Sequence, residues 1–207
     1  MRKFIVIVVV LSFSVVGFGQ SDHNDTKKKI QYGFNIGTNY ALLRSGEALP
    51  EKAVIINGIG AKMGLFMDYS FSQHFLFSPK IEIGLYNSGV EFTNNDNTVT
   101  DYAVFPLVME TMAHMIYKVH AAGNTPYLLI GPVLKLPMDN QATSTTDFIN
   151  RPDLAMDVGI GLEIKMKYFT LAPEIRYSNG FYNVNNNPRL QSLYFHSLAI
   201  MMQFKGS

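Results

Sequence analysis

From Ile30 to Leu42 the chain alternates two kinds of residue. Ile30, Tyr32, Phe34, Ile36, Thr38, Tyr40 and Leu42 stand against Gln31, Gly33, Asn35, Gly37, Asn39 and Ala41. Successive side chains of a strand point to opposite faces, so a period of two predicts a strand with one apolar face. The same alternation returns over 59–71, 75–86, 154–166, 169–178 and 194–204. His196 is the polar intruder on the apolar face of the last of these. Two further segments, about Tyr102 to Lys118 and about Pro126 to Met138, are apolar on both faces. In the first, Phe105, Leu107 and Met109 share a face with Glu110 opposite; in the second, Leu128, Ile130, Leu134 and Leu136 share one with Gly131 and Lys135 opposite. Pro79, Pro106, Pro132, Pro137 and Pro173 fall inside these eight strands. Proline has no N–H for the ladder, so a bulge or a strand end is expected near each.

Eight amphipathic strands can close with the apolar face inward, around a ligand, or outward, against lipid. The polar face decides between them. It is rich in Gly, Ala, Ser and Asn, which suits a narrow bore filled by side chains better than a water-exposed wall. The fold expected is all-β: an eight-stranded antiparallel up-and-down transmembrane β-barrel. Connections alternate in length. Those at 72–74, after Lys118 and around Lys167 are short; those at 44–57, 87–100, 139–153 and 182–191 are long and rich in Asn, Thr, Asp and Gly. Short turns at the periplasmic end and long loops outside are the bacterial pattern, which places both termini in the periplasm. Aromatics at strand ends, among them Tyr32, Tyr40, Tyr69, Phe71, Phe75, Tyr168, Phe169, Tyr177 and Phe204, would form the interface girdles.

The N-terminus supports an envelope address. Arg2 and Lys3 precede an apolar run from Phe4 to Val16, and Gly17 and Gly19 precede Gln20, the pattern of a secretory signal peptide over 1–19. A periplasmic segment over 20–29 and a barrel over 30–204 complete the expected organisation. The full chain carries 17 Lys+Arg and 16 Asp+Glu, and only 16% of its residues are charged, against about 25% in an ordinary domain. Such balance argues against nucleic-acid binding. The absence of Cys excludes disulfides, thiolate metal sites, cysteine catalysis and lipidation on Cys.

Eleven of the charges fall on the polar face. Lys62, Lys80, Lys135, Lys165 and Arg176 meet Asp68, Glu82, Glu110, Asp157, Glu163 and Glu174. An unpaired charge in a bore of low dielectric is costly, so these residues are expected to form a structural network of ion pairs. No catalytic, cofactor or metal site is expected. His196 and Ser197 are neighbours on a strand and point to opposite faces. His114 shares its face with Glu110 but has no nucleophile beside it, so a hydrogen-bonding role in the lumen is expected. His23, His74 and His120 are expected in solvent. Gly58-Ile59-Gly60 and Gly159-Ile160-Gly161 lie in strands with no helix following, so neither is a dinucleotide site. The Asn-rich loops at 94–97 and 183–187 are expected to be solvated and mobile.

The wording of several strands resembles the Bacteroidetes small outer-membrane β-barrel superfamily, and within it the PorT family. The resemblance rests on Phe105-Pro106-Leu107, on the run from Pro126 to Pro132, on Asp157 to Glu163 and on Phe169 to Gly180. It implies an outer-membrane, non-enzymatic component of type IX protein secretion and gliding, whose partners are membrane lipid and other secretion-system proteins. It implies no cofactor and no small-molecule substrate. A general barrel for envelope stability, adhesion or ligand binding is the alternative.

Overall fold

Strict alternation gives each strand one face of large apolar side chains and one of small or polar ones, and a sheet built this way closes when its polar faces can fill a bore. The computed structural model describes residues 29–50, 52–94, 96, 98–119, 124–138, 151–185, 187 and 190–206. The expected signal peptide, most of the 20–29 segment, His23, His120 and the connection at 139–150 lie outside them.

Among the described residues eleven strands follow in chain order: β1 (Ile30–Ser45), β2 (Ala53–Ile56), β3 (Ile59–Ser70), β4 (Phe75–Leu85), β5 (Gly89–Thr93), β6 (Val99–Ala103), β7 (Leu107–Lys118), β8 (Thr125–Pro137), β9 (Asp153–Lys165), β10 (Phe169–Gly180) and β11 (Leu193–Gly206). Eight of them close an antiparallel barrel, in which each strand pairs with its barrel neighbours in the chain and β1 pairs with β11. Residues such as Ile59, Leu65, Ile81 and Ile160 stand exposed on the outer wall, whereas Lys62, Glu82, Glu110 and Arg176 are buried inside. Both described chain ends lie at the same end as the short turns at 71–74 and 166–168. The long connections gather at the other, here called the loop end.

Those connections are not plain loops. β2, β5 and β6 form a separate three-stranded sheet with β5 in the middle, which corrects the reading of 44–57 and 87–100 as loops. Its inner face, including Ile55, Val90 and Tyr102, packs with Ala41, Leu43, Phe105 and Phe195 in one apolar cluster over the loop end of the bore. The fourth expected strand is corrected too. Tyr102 belongs to β6, and the barrel strand begins at Leu107. Between them Phe105 takes φ 54°, a left-handed conformation that costs a bulky residue energy. That turn swings its ring off the outer face and buries it completely in the cluster.

Nor do the prolines inside the strands need bulges. The β3–β4, β7–β8 and β9–β10 registers are the same on either side of Pro79, Pro132 and Pro173, with only the ladder pairs beside each proline missing. The other neighbour of Pro79 and of Pro173 pairs straight through it. Each proline therefore omits bonds on one side only, and the closed sheet absorbs the gap. Pro137 ends β8, and Pro106 precedes β7.

The Asn-rich connection at 183–187 is ordered where it is described. Asn185 and Asn187 are buried. Asn183 Oδ1 accepts from the amides of Asn185 and Leu193, and Asn185 Nδ2 donates to the carbonyls of Asn187 and Leu190. Asparagine is frequent here because its amide can replace a backbone partner in a turn.

Candidate functional site

The inner faces of seven of the eight barrel strands, all but β1, bring charge to the axis. Arg176, from β10, lies at the centre and is buried. Its Nη2 donates to Glu82 Oε2, its Nε lies 3.2 Å from Asp157 Oδ2 and its Nη1 lies 3.4 Å from Glu174 Oε1. A planar guanidinium with five donors can serve three carboxylates at once, which an ammonium cannot do with the same geometry. Each carboxylate has further partners. Asn35 Nδ2 donates to Glu82 at 2.8 Å, and His114 Nε2 lies 3.1 Å from Asp157. Glu174 receives Lys80 at 3.3 Å, the Tyr127 hydroxyl at 2.9 Å and the Gln203 amide.

Toward the loop end Lys62 donates to Glu110 at 2.6 Å and lies 3.7 Å from Glu82. Tyr86, just beyond β4, donates its hydroxyl to the same Glu110. Burial, with Glu110 beside it, holds that phenol well above its usual range, so it stays a donor. Toward the chain termini Lys205 joins Asp68 at 2.6 Å to Glu163 at 2.7 Å, and Lys118 meets Glu163 at 2.8 Å. Ser78 completes Asp68 at 2.6 Å.

Of the residues singled out from the sequence, Lys62, Lys80, Glu82, Glu110, Asp157, Glu174 and Arg176 meet in one chain of contacts, and Asp68 and Glu163 meet through Lys205. Lys165 does not join them. It is exposed at the terminal rim, on the lip of a funnel that Lys118 and Glu163 also line. It is the last residue of β9, so its side chain leaves the bore. Lys135 is buried but sits 3.9 Å from Asp153, with its ammonium 4.6 Å above the Phe195 ring. His114 turns to Asp157, not to Glu110. Ser197 faces the bore, and His196 faces out.

Sequence reasoning missed Lys205, because the last strand was ended at Phe204, and it gave the rings on the inner face no role. Tyr127 lies directly across from Gly161, and Phe66 from Gly33. A Cβ at Gly161 would overlap the Tyr127 phenol, and one at Gly33 would overlap the Phe66 ring. The two glycines let flat rings lie against the wall beneath the charges. Lys80 and Lys205 stand 5.5 and 5.7 Å over Phe66, a cation–π arrangement. Gly161→Leu is therefore expected to destabilise the barrel by about 1–3 kcal/mol through overpacking, seen as a lower urea midpoint for the protein in detergent. Adding Tyr127→Ala should recover part of the loss. If Gly161→Leu left the midpoint unchanged, the ring would not lie where the structure places it.

Ion pairs and rings fill the middle of the bore, and the apolar cluster closes its loop end. Chemically this arrangement can hold charges in fixed positions, with every carboxylate at its centre engaged by a cation.

Comparison with known proteins agrees with this architecture. No curated protein matches the sequence. Among solved structures, Neisserial surface protein A (NspA) is 12% identical, with 84% of this chain and 96% of that one covered at a TM-score of 0.55. The outer membrane protein OprG from Pseudomonas aeruginosa is 11% identical, with 85% and 93% covered at 0.49. The likeness to NspA is one of fold. A family model described as an outer membrane protein beta-barrel domain matches residues 18–190. The chain belongs to that outer-membrane β-barrel family.

Proposed function

We propose that the protein is a non-enzymatic outer-membrane barrel that works through protein contacts, in a PorT-like part in type IX secretion and gliding. The observation that carries the reading is the filled bore: Arg176 and its three carboxylates occupy the middle, and the Phe195 cluster packs at the loop end. A barrel filled in this way acts by the surfaces it holds in place, and the folded sheet of β2, β5 and β6 is such a surface. In this reading the loop end faces outward, and both termini face the periplasm, where other secretion components can reach the short turns. The PorT-like strand wording supports the assignment to that system.

Deleting the gene in a host that uses type IX secretion is expected to abolish export of its cargo, measured as loss of cargo from the medium, and a plasmid copy should restore it. Unchanged export would overturn the secretion role. It would leave a barrel of the envelope, with defects to be sought in adhesion and under envelope stress.

A further inference from the structure

One side of the outer wall is grooved. Register places Tyr117, Leu128 and Ile160 in one row across β7, β8 and β9, and Ile130, Val158 and Tyr177 in a second row across β8, β9 and β10. Between the rows runs an apolar groove of about 670 Å³, with Gly159 in its lining. The rows cross the tilted strands, so the groove climbs the wall obliquely and does not follow a strand.

At its upper end, nearest the loops, the outer face of β10 and β11 turns polar, with Asn179 directly opposite His196. The Tyr177 ring stacks on His196, with centroids 6.3 Å apart and planes 5° from parallel. His196 is only 8% exposed, although it sits on the outward face, and its Nδ1 has no hydrogen-bond partner. Leu42 lies directly opposite His196 on β1. Arg44, two residues on and on the same outer side, is the diagonal neighbour, a spacing that long side chains bridge. Arg44 is exposed. An arginine and an unsatisfied histidine thus flank the end of a hydrocarbon-lined groove on a wall that meets lipid.

We propose that the groove holds one acyl chain of an anionic lipid, whose phosphate is bound by Arg44 and His196. The groove supplies an apolar bed for a chain. The guanidinium suits phosphate through paired N–H donors, and the imidazole offers the second polar contact. Charge complementarity selects this occupant over a zwitterionic lipid. The proposal depends on the wall facing lipid and not on any part in secretion.

Native mass spectrometry of the intact protein in mild detergent tests it, with dioleoylphosphatidylglycerol and dioleoylphosphatidylcholine titrated separately. One phosphatidylglycerol is expected to be retained about tenfold more tightly than phosphatidylcholine, the scale of one charge-assisted hydrogen bond. The double variant Arg44→Gln with His196→Gln should reduce phosphatidylglycerol to the level of phosphatidylcholine. Ile160→Trp, which fills the groove from the outside, should release both. Folding of each variant is checked by its shift on unheated gels. Equal retention of the two lipids, or unchanged retention in both variants, would overturn the proposal. So would binding of inorganic phosphate without retention of lipid, or lipid-free paired barrels, which would assign the groove to a second copy of the chain.

Discussion

Arg176→Leu is expected to cost the folded barrel about 3–5 kcal/mol, the scale of removing one partner from a buried ion pair. Arg176 is the cation shared by Glu82, Asp157 and Glu174. Without it three carboxylates face one another in a closed bore, with Lys62, Lys80 and His114 left as partial counterweights. The loss arises from stranding those carboxylates and not from the net value of the pairs, since burying ions already carries a large desolvation cost. Two further variants separate these effects. Arg176→Lys keeps the charge but offers a compact ammonium, so it should reach fewer of the three carboxylates and fall between wild type and leucine. Adding Glu82→Gln to Arg176→Leu removes one stranded charge and should recover part of the loss, an interaction energy that a double-mutant cycle reads directly. Urea titrations of the refolded protein in detergent provide the measurement. A leucine variant within about 1 kcal/mol of wild type would mean that water reaches the carboxylates and that the bore is open.

How much of this was legible before the structure depends on which physical signal each part carries. The barrel wall is written in a period of two, and a one-residue slip would turn every large residue inward. Strands such as Ile59–Ser70 and Asp153–Lys165 therefore announce both their existence and their facing. The central charges were legible for the same reason: Glu82 and Arg176 sit at even positions among outward-facing apolar residues. Their partners were not, because register decides whether Arg176 meets Glu82 of a strand 94 residues earlier in the chain, and alternation alone does not fix register. Strands at the loop end were hidden by length. β2 has four residues and β5 and β6 five each, too short for a strong period. Yet Val90 and Phe92 alternate with Glu91, and a run of Asn and Asp separates them from Val99, which is a hairpin signal in its own right. Phe105 was misplaced because φ sign is not visible in a sequence unless glycine marks it. Alternation puts Phe66 on the inner face beside Lys62 and Asp68, but it does not say that a ring there is a bed for lysines, and Tyr127 lies in a strand apolar on both faces, whose facing alternation leaves open. The glycines across from them were the available clue.

Phe195→Ala should be comparably damaging, about 3–5 kcal/mol for truncating a buried phenylalanine, but the damage should be confined to one end. Phe195 meets Tyr86 edge-on at 4.9 Å and Phe105 at 5.0 Å, and its face lies under the Lys135 ammonium. The ring therefore joins the barrel strand β11, the connection after β4 and the turn before β7. Lys135 Nζ and Asp153 Oδ2 make no hydrogen bond of their own, so the ring face is a large part of what surrounds that buried charge. Removing it opens a cavity in the apolar cluster and admits water to Lys135. The remaining anchors of the outer sheet, Val90 and Tyr102 among them, lose their common floor. Nearer the chain termini the network of Lys205, Asp68 and Glu163 has no contact with the site and should keep its strands protected. Hydrogen exchange distinguishes the two ends. In the alanine variant amides of β2, β5 and β6 should exchange much faster, while those paired across β1 and β11 near Phe34 and Phe204 change little. Phe195→Leu should keep most of the apolar volume while losing the ring face toward Lys135, and so show a milder form of the same pattern. Loss of protection spread evenly over all strands would make Phe195 a part of the global core, and the apolar cap would then not be a separate element.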